Sequence, residues 1–162
     1  MSASASNDAT LRTAQPTDES AIAALLTASS LPLDGVHDAL SHFVVAEHEG
    51  SIVGVAGIEP CGSGNEHALL RSVAVADSWR SRGLGRALVT LAIAESEARD
   101  TTALYLLTTT ANGYFPAFGF TVTTRDAVPA DIRATAEFRE ACPASATVMV
   151  RASVAATSAN AT

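Results

Sequence analysis

The chain has 162 residues and a formal net charge of −7, because ten arginines face seventeen acidic residues and lysine is absent. Hydrophobic residues form 48% of the sequence and charged residues 17%, which suits a packed core and excludes wholesale disorder. The acidic balance argues against a nucleic-acid partner, and no apolar run approaches the roughly 18 residues of a membrane span. With no visible signal peptide and only two cysteines, we expect a cytoplasmic protein with neither nucleic acid nor membrane as partner.

The chain divides by composition into a central domain and two tails. Residues 1–9 and 152–162 are Ser/Ala/Thr/Asn tracts without hydrophobic periodicity, and we predict disordered tails there. Residues 10–151 show neither an internal repeat nor a convincing linker. We therefore predict a single domain over that range.

The first half of the domain changes from helical to extended periodicity. A short strand is predicted at Leu11–Ala14, followed by a helix after Pro16 with Ile22, Leu25 and Leu26 on its apolar face, and by a second helical stretch over 34–40. Three β-rich runs come next, the first two joined by a hairpin signal at Glu49-Gly50. They are Phe43–Ala46, Ile52–Ile58 and Ala68–Val75, and together they predict an antiparallel meander.

The second half alternates helices and strands. The predicted elements are helices at Gly83–Arg99, Asn112–Phe118 and Ala130–Glu140, and strands at Ala103–Leu107, between the last two helices, and at Ala146–Arg151. Such an order is mixed α/β with an antiparallel front half.

The segment after the third β-rich run carries a recognisable anion site. The strand ends at Val75, and Gly83-Leu84-Gly85 opens a helix whose free N–H groups and dipole favour an anion such as pyrophosphate. Cationic donors crowd the same turn, namely Arg80, Arg82 and Arg86. A Walker loop is excluded because the chain has no lysine, and a dinucleotide fingerprint would need Gly or Ala where Leu88 stands.

Arg80-x-x-Gly83-x-Gly85 resembles the R/Q-x-x-G-x-G/A signature of the GCN5-related N-acetyltransferase (GNAT) superfamily. The resemblance implies a twisted, mostly antiparallel sheet of about six or seven strands flanked by helices, with strands four and five splayed. It also implies acetyl-CoA as co-substrate and no metal. The Val73 N–H would face the thioester carbonyl, as catalytic oxyanion donor, and Val75 the pantetheine. The pyrophosphate would be bound by Arg80, Ser81, Arg82, Gly83, Leu84, Gly85 and Arg86.

Three segments of the C-terminal half indicate which subgroup of the superfamily the chain resembles. Leu104–Ala111, Tyr114–Phe120 and Val128–Ala146 are similar to acetyltransferases of arsenic-resistance operons, a group in turn similar to small amino-acid N-acetyltransferases such as N-acetylglutamate synthases. This resemblance implies acetyl transfer to the amine of a small molecule, an amino acid or amino-acid-like toxin, by direct attack in a ternary complex. It also makes a homodimer possible.

The sequence departs from the superfamily at the position of the general acid. Phe115 stands where a tyrosine is usual, and the candidate catalytic acid is Tyr114, one residue earlier. On a helix that step rotates the side chain by about 100°, so that Tyr114 could also point into the core. A common Asn is replaced by Thr108, whose hydroxyl, or that of Thr109, is a candidate to bond pantetheine. A CoA-binding regulatory module without catalysis is therefore an alternative. A protein N-acetyltransferase is less favoured, because Leu69 occupies the position of the histone-type base.

Candidate bases and acceptor-binding residues have competing structural roles. Glu66 and His67 begin a strand, and His37 lies in the expected acceptor-covering region; each is a candidate base or acceptor contact, or a solvated side chain. Strand alternation would place Arg71 on the face of Val73 and Val75. Arg71 there would hold an acceptor carboxylate or form a structural salt bridge.

Three further features of the sequence are expected to serve structure or adaptation to the environment and not catalysis. Cys142 is expected to be a buried cysteine, since one thiol makes a poor metalloid site and Cys61 is distant in sequence. Arg133 and Glu137 are expected to form a surface pair, and no His/Cys/Asp spacing typical of a metal site is present. The lysine-free acidic composition predicts adaptation to high salt, as in halophiles.

Overall fold

The structure, a computed structural model, describes residues 9–61, 66–109, 113–135, 138–139 and 146–152. The predictions for both tails, for Asn112, for Glu137 and for Cys142 lie outside the described residues. The chain groups into two compact units, Met1–Ile58 with Ser72–Ile93, and Glu59–Arg71 with Ala94–Thr162. The predicted single domain over 10–151 remains a prediction.

The first unit begins with a hairpin and its flanking helices. Strand β1 (Thr10–Thr13) pairs antiparallel with β2 (Phe43–His48), and β2 pairs antiparallel with β3 (Ser51–Cys61). Helices α1 (Glu19–Ala28) and α2 (Val36–Ala39) lie between β1 and β2 in the chain. Glu49 and Gly50 have φ values of 50° and 85°, which is the two-residue turn that suits a right-twisted hairpin, as the sequence predicts.

The core of the first unit is made by the apolar faces that the periodicity indicates. Ile22 and Leu26 of α1 are fully buried against Phe43 and Val45 of β2, in one cluster of apolar side chains. At its edge, Arg12 donates to Asp18 at 2.8 Å and to Glu47 at 2.9 Å. These contacts hold the pKa of Asp18 below its ordinary value, chiefly through the hydrogen bond from Arg12.

The second unit is built around two long antiparallel strands. Strand β5 (Ala103–Thr108) pairs with β7 (Thr147–Ala152), which in turn pairs antiparallel with β6 (Thr121–Thr123). Strand β4 (His67–Val75) is shared by the two units and pairs parallel with β5 from His67↔Ala103 to Leu69↔Tyr105. Buried Leu69, Tyr105, Val128, Ile132 and Val148 form the second unit's core.

The strands form one seven-stranded sheet in the order β1-β2-β3-β4-β5-β7-β6, which confirms the predicted mixed α/β class. Its described ladders are antiparallel apart from the parallel β4–β5 pair. The β4–β5 register ends at Leu69, whereas β4 itself continues to Val75, in keeping with the predicted splay. Helix α3 (Leu84–Ala98) follows β4, close to its predicted bounds.

Two predicted helices are not regular α-helices over their described residues. The segment before β6 is a 3₁₀ helix, Phe115–Phe118, that ends at Gly119 with φ of 94°. Helix α4 covers Ala130–Arg133, after which the Thr135 hydroxyl donates to the Ile132 carbonyl and accepts from the Phe138 N–H. Helical structure is described again at residues 138–139, where the Arg139 N–H donates to the Thr135 carbonyl at 3.0 Å. Within the described residues, no helix has the length and apolar character to cross a membrane.

Gly57 of β3 is a testable point in the core. A Cβ there would lie 2.4–2.6 Å from three atoms of the fully buried Phe43 ring. We therefore expect Gly57→Ala to reduce the free energy of unfolding by about 1–3 kcal/mol, measured by urea denaturation. Gly113→Ala is the control, because a Cβ at Gly113 meets nothing within 4 Å. Equal stability of the two variants would contradict the packing argument.

Candidate functional site

The loop between β4 and α3 lies in the first unit and has an unusual backbone. Ser81 and Gly83 adopt φ values of 66° and 81°, and Leu84 then begins α3. Arg80, Ser81, Arg82 and Gly83 are exposed, whereas Leu84 is 1% exposed and anchors the helix. The first-turn N–H groups of a helix have no intrahelical acceptor, so this start offers donors to an anion.

The arginines of this loop are held by weak, exposed contacts. Arg80 donates through Nε to the Val75 carbonyl at 3.2 Å and lies 3.3 Å from Asp77. The Arg82 guanidinium lies 4.7 Å from the centroid of the Trp79 ring. Exposed ion pairs contribute little to stability, so these cations can exchange their partners for a bound phosphate at small cost.

The end of β4 departs from regular strand geometry. Ser72 is buried and has φ of 59°, in the left-handed region that non-glycine residues rarely adopt. Val73 and Val75 are half-buried on either side of buried Ala74. Backbone strain of this kind in a buried strand is commonest at functional sites.

Arg71 requires a correction to the expectation from strand alternation. The left-handed Ser72 interrupts the two-residue period, so a common face for Arg71, Val73 and Val75 does not follow. The Arg71 side chain is 0% exposed, and its Nη1 lies 2.9 Å from Glu59. The sequence left two roles open for Arg71, a structural salt bridge or a contact with an acceptor carboxylate. The structure has the salt bridge to Glu59, and the contact with an acceptor remains a prediction.

In the second unit, Tyr114 faces outward and Phe115 inward. Tyr114 is 38% exposed and immediately precedes the 3₁₀ helix, whereas Phe115 is 8% exposed and packs edge-to-face on Phe120. Tyr114, the candidate general acid, does not turn into the core, because the described segment is a 3₁₀ helix and not a regular α-helix; its catalytic role remains a prediction. Arg151 holds the turn by donating to the Phe118 carbonyl at 2.8 Å and to Glu97 at 2.7 Å.

The other site residues predicted in the second unit lie at strand ends. Glu66 directly precedes β4, and its carbonyl accepts bonds from the N–H and hydroxyl of Thr102. His67 lies 3.2 Å from Asp131, and Thr108, half-buried, ends β5. Cys61 is a buried thiol whose pKa is raised to about 12, chiefly by burial, so it is not a ready nucleophile.

The first unit also contains a cavity of about 250 Å³ beside the start of α1. Its lining is mainly apolar with a few charged groups, from Ala14, Pro16, Glu19, His37, Asp38, Leu40 and Ser41. His37 Nδ1 lies 2.9 Å from both carboxylate oxygens of Glu19. The hydrogen bond and then the charge of Glu19 raise the pKa of His37 above its ordinary value.

The predicted residues therefore fall into three groups. The loop residues Arg80–Arg86 adjoin Val73 and Val75 in the first unit, and His37 lines the cavity of the same unit. Glu66, Arg71, Thr108 and Tyr114 belong to the second unit. Sequence reasoning missed Glu19 as the partner of His37 and Trp79 as the partner of Arg82, because neither contact has a sequence signature.

The chain belongs to the acetyltransferase (GNAT) family, because the sequence model of that family matches residues 10–120. The family is one of acetyltransferases, which gives the reaction class of this chain. The superfamily resemblance drawn from the Arg80–Gly85 motif is thereby confirmed. A sequence comparison with curated proteins gives no match.

Three solved structures illustrate the shared fold. N-acetylglutamate synthase from Neisseria gonorrhoeae, complexed with coenzyme A and L-arginine, is 22% identical with a TM-score of 0.74 over 89% of this chain and 33% of that one. The Mycobacterium tuberculosis protein Rv2747, in complex with CoA, is 22% identical. It has a TM-score of 0.74, and the match covers 88% of this chain and 98% of that one. Diaminobutyrate acetyltransferase EctA from Paenibacillus lautus, in complex with L-2,4-diaminobutyric acid and coenzyme A, is 19% identical. It has a TM-score of 0.68, and the match covers 91% of this chain and 96% of that one.

These likenesses show the fold. The present chain spans only about a third of the synthase. Amino-acid acetyltransferases are among the neighbours, whereas the resemblance to arsenic-resistance enzymes stays a prediction.

The His37–Glu19 pair can be tested by titration. We expect Glu19→Gln to lower the pKa of His37 towards that of a free histidine, because the main acceptor and its negative charge are both weakened. Histidine ring NMR over a pH series measures the shift. Asp38→Asn is the control, since the charge of Asp38 contributes least to the pKa of His37. An unchanged titration in Glu19→Gln would show that the pair does not form in solution.

Proposed function

We propose that this enzyme acetylates the primary amine of a small molecule, an amino acid or an amino-acid-like compound, in the cytoplasm. The family gives the reaction class, and the loop before α3 is the observation that supports the site of acetyl-CoA. An acidic chain that places Arg80, Arg82 and Arg86 beside a helix start concentrates its positive charge where a pyrophosphate would bind.

The loop before α3 and the end of β4 bind different parts of acetyl-CoA, the pyrophosphate and the pantetheine arm respectively. The N–H groups at Gly83, Leu84 and Gly85 bind pyrophosphate oxygens, with the arginines and Ser81 as side-chain donors. The Val75 backbone binds the pantetheine arm, and Thr108 is a second pantetheine contact. The irregular backbone at Ser72 supports a role for the neighbouring Val73 N–H, since a strand that kinks there can turn this donor from a ladder partner towards a ligand.

The chemistry requires an amine to attack the thioester carbonyl directly. The nitrogen lone pair forms the C–N bond, the carbonyl oxygen becomes an oxyanion held by the Val73 N–H, and the C–S bond then breaks. The amine gives up its proton to Glu66 or His37, directly or through water. The leaving thiolate takes a proton from Tyr114, whose exposed position supports this role.

The cavity beside α1 supports a small cationic acceptor. A volume of about 250 Å³ suits an amino-acid-sized molecule, and Glu19 and Asp38 are carboxylates that attract an ammonium group. Apolar Ala14, Pro16 and Leu40 provide contact area for a short side chain. His37 is then positioned by Glu19 to contact the acceptor.

The acceptor class is tested by measuring CoA thiol release over a panel of amino acids, diamines, and arsenical and phosphinic amino-acid analogues. We expect turnover with at least one amino-acid-like amine and none with peptide N-termini. Acetylation of peptides alone would indicate a protein N-acetyltransferase. Binding of acetyl-CoA without thiol release from any amine would indicate a regulatory CoA-binding module.

The pyrophosphate site is tested at Gly83, whose left-handed φ both Asn and Asp tolerate better than other residues do. We expect Gly83→Asp to weaken acetyl-CoA binding at least about tenfold relative to Gly83→Asn, because the added carboxylate repels the pyrophosphate. Isothermal titration calorimetry measures both affinities. Equal affinities of the two variants would show that no pyrophosphate binds at this loop.

The proton donor is tested by Tyr114→Phe. We expect kcat to fall by about a hundredfold, the lower range for loss of general acid catalysis, while the KM for acetyl-CoA stays unchanged. An unchanged kcat would assign protonation of the thiolate to solvent.

A further inference from the structure

A cluster of metal-binding side chains lies in the second unit, at the start of β4. The ligand atoms of Glu66, His67 and Asp131 all lie within 4.8 Å of one another. His67 Nδ1 is 3.2 Å from Asp131 Oδ2, although the two residues are 64 positions apart in sequence. No spacing motif joins the three residues, so a metal site could not be predicted from the sequence.

Each of the three residues also makes a contact outside the cluster. The Glu66 carbonyl accepts from the Thr102 N–H at 2.8 Å and from the Thr102 hydroxyl at 3.0 Å. The ring of Tyr105 lies edge-on to the His67 ring, at 6.4 Å between centroids. Asp131 uses Oδ1 to accept the N–H of Ile132 at 2.8 Å, which leaves Oδ2 directed at His67. His67 and Asp131 are thereby oriented before an ion binds, whereas Thr102 holds Glu66 through its backbone carbonyl, and Glu66 brings its carboxylate to the ion from the surface.

The donor set and its exposure suit a transition ion. One imidazole nitrogen and two carboxylate oxygens compensate the charge of a divalent cation, and imidazole selects first-row transition ions over Mg²⁺ and Ca²⁺. The side chains of His67 and Asp131 are 25% and 28% exposed, so an ion can reach them and keep water in its open positions.

We propose that Glu66, His67 and Asp131 form a binding site for a divalent transition ion, such as Zn²⁺, that joins the start of β4 to helix α4. Acetyl transfer itself needs no metal, and with the ion bound Glu66 is a ligand, so His37 is then the base that takes the proton of the amine. It would replace the hydrogen bond between His67 and Asp131 by two coordination bonds and recruit Glu66 as the third ligand. The expected consequence is a stiffer connection between β4 and the segment after β6.

The site is tested by titrating the untagged full-length chain, freed of metal by chelation, with Zn²⁺ alone. We expect saturable binding of one ion in calorimetry, a rise in Tm, and a shift of the His67 ring signals in NMR. His67→Ala and Asp131→Asn should each weaken the affinity at least about tenfold. Cobalt absorption in the visible range provides a second signature that a purely structural role of these residues would not produce.

Matched controls separate this site from other histidine–carboxylate pairs and from the acidic surface. His37→Ala removes a histidine that also contacts a carboxylate, and Asp126→Asn removes an exposed acid of the same unit; neither should change the Zn²⁺ affinity. Circular dichroism checks that each variant is folded, with His67→Gln as the replacement if His67→Ala is not. Unchanged Zn²⁺ affinity in the folded His67 and Asp131 variants, or equal affinity for Mg²⁺, would overturn the proposal.

Discussion

The position of helix α3 depends on the absence of a side chain at Gly54. A Cβ at this point of β3 would lie 2.6 Å from Leu88 and 3.4 Å from Leu84, so the first turns of α3 pack directly on the strand backbone. Leu84 and Leu88 are buried for this reason. Because Leu84 opens the helix, the same contact fixes where the loop N–H groups and their neighbouring arginines are presented. The candidate pyrophosphate site thus rests on apolar packing rather than on its own polar contacts.

Most of the fold could be predicted because its signals are local. The Glu49-Gly50 pair predicts a two-residue hairpin turn, and the loop before α3 combines glycines and arginines within one short segment. The misjudged features depend on tertiary context. A left-handed Ser72 ends the alternation that the sequence implied for Arg71, and the Thr135 hydroxyl interrupts the regular helix predicted over 130–140.

The candidate site was less accessible to sequence reasoning than the fold, for a related reason. Tyr114 and Phe115 are adjacent, and only the 3₁₀ geometry of their segment decides which of the two enters the core. Contacts between distant positions leave no local pattern either. The pairing of His37 with Glu19 joins α2 to α1, and that of Arg71 with Glu59 joins β4 to β3.

The arginines of this lysine-free chain have two kinds of surroundings. Some are tied into partly or fully buried ion pairs, with Arg12 on Asp18, Arg71 on Glu59 and Arg151 on Glu97. Arginine suits such positions, because its planar guanidinium can satisfy several acceptors at once. Those of the loop before α3 are exposed instead, which leaves cationic groups at the surface of an otherwise acidic protein.

The contact between Arg82 and Trp79 gives the enzyme an optical property. Trp79 is the single tryptophan of the chain, it is 8% exposed, and a guanidinium lies 4.7 Å from the centre of its ring. The emission of a buried indole responds to the charge above its ring, so any anion that draws Arg82 away alters the fluorescence of this one chromophore. The protein therefore carries its own reporter of loop occupancy, which requires neither a label nor turnover.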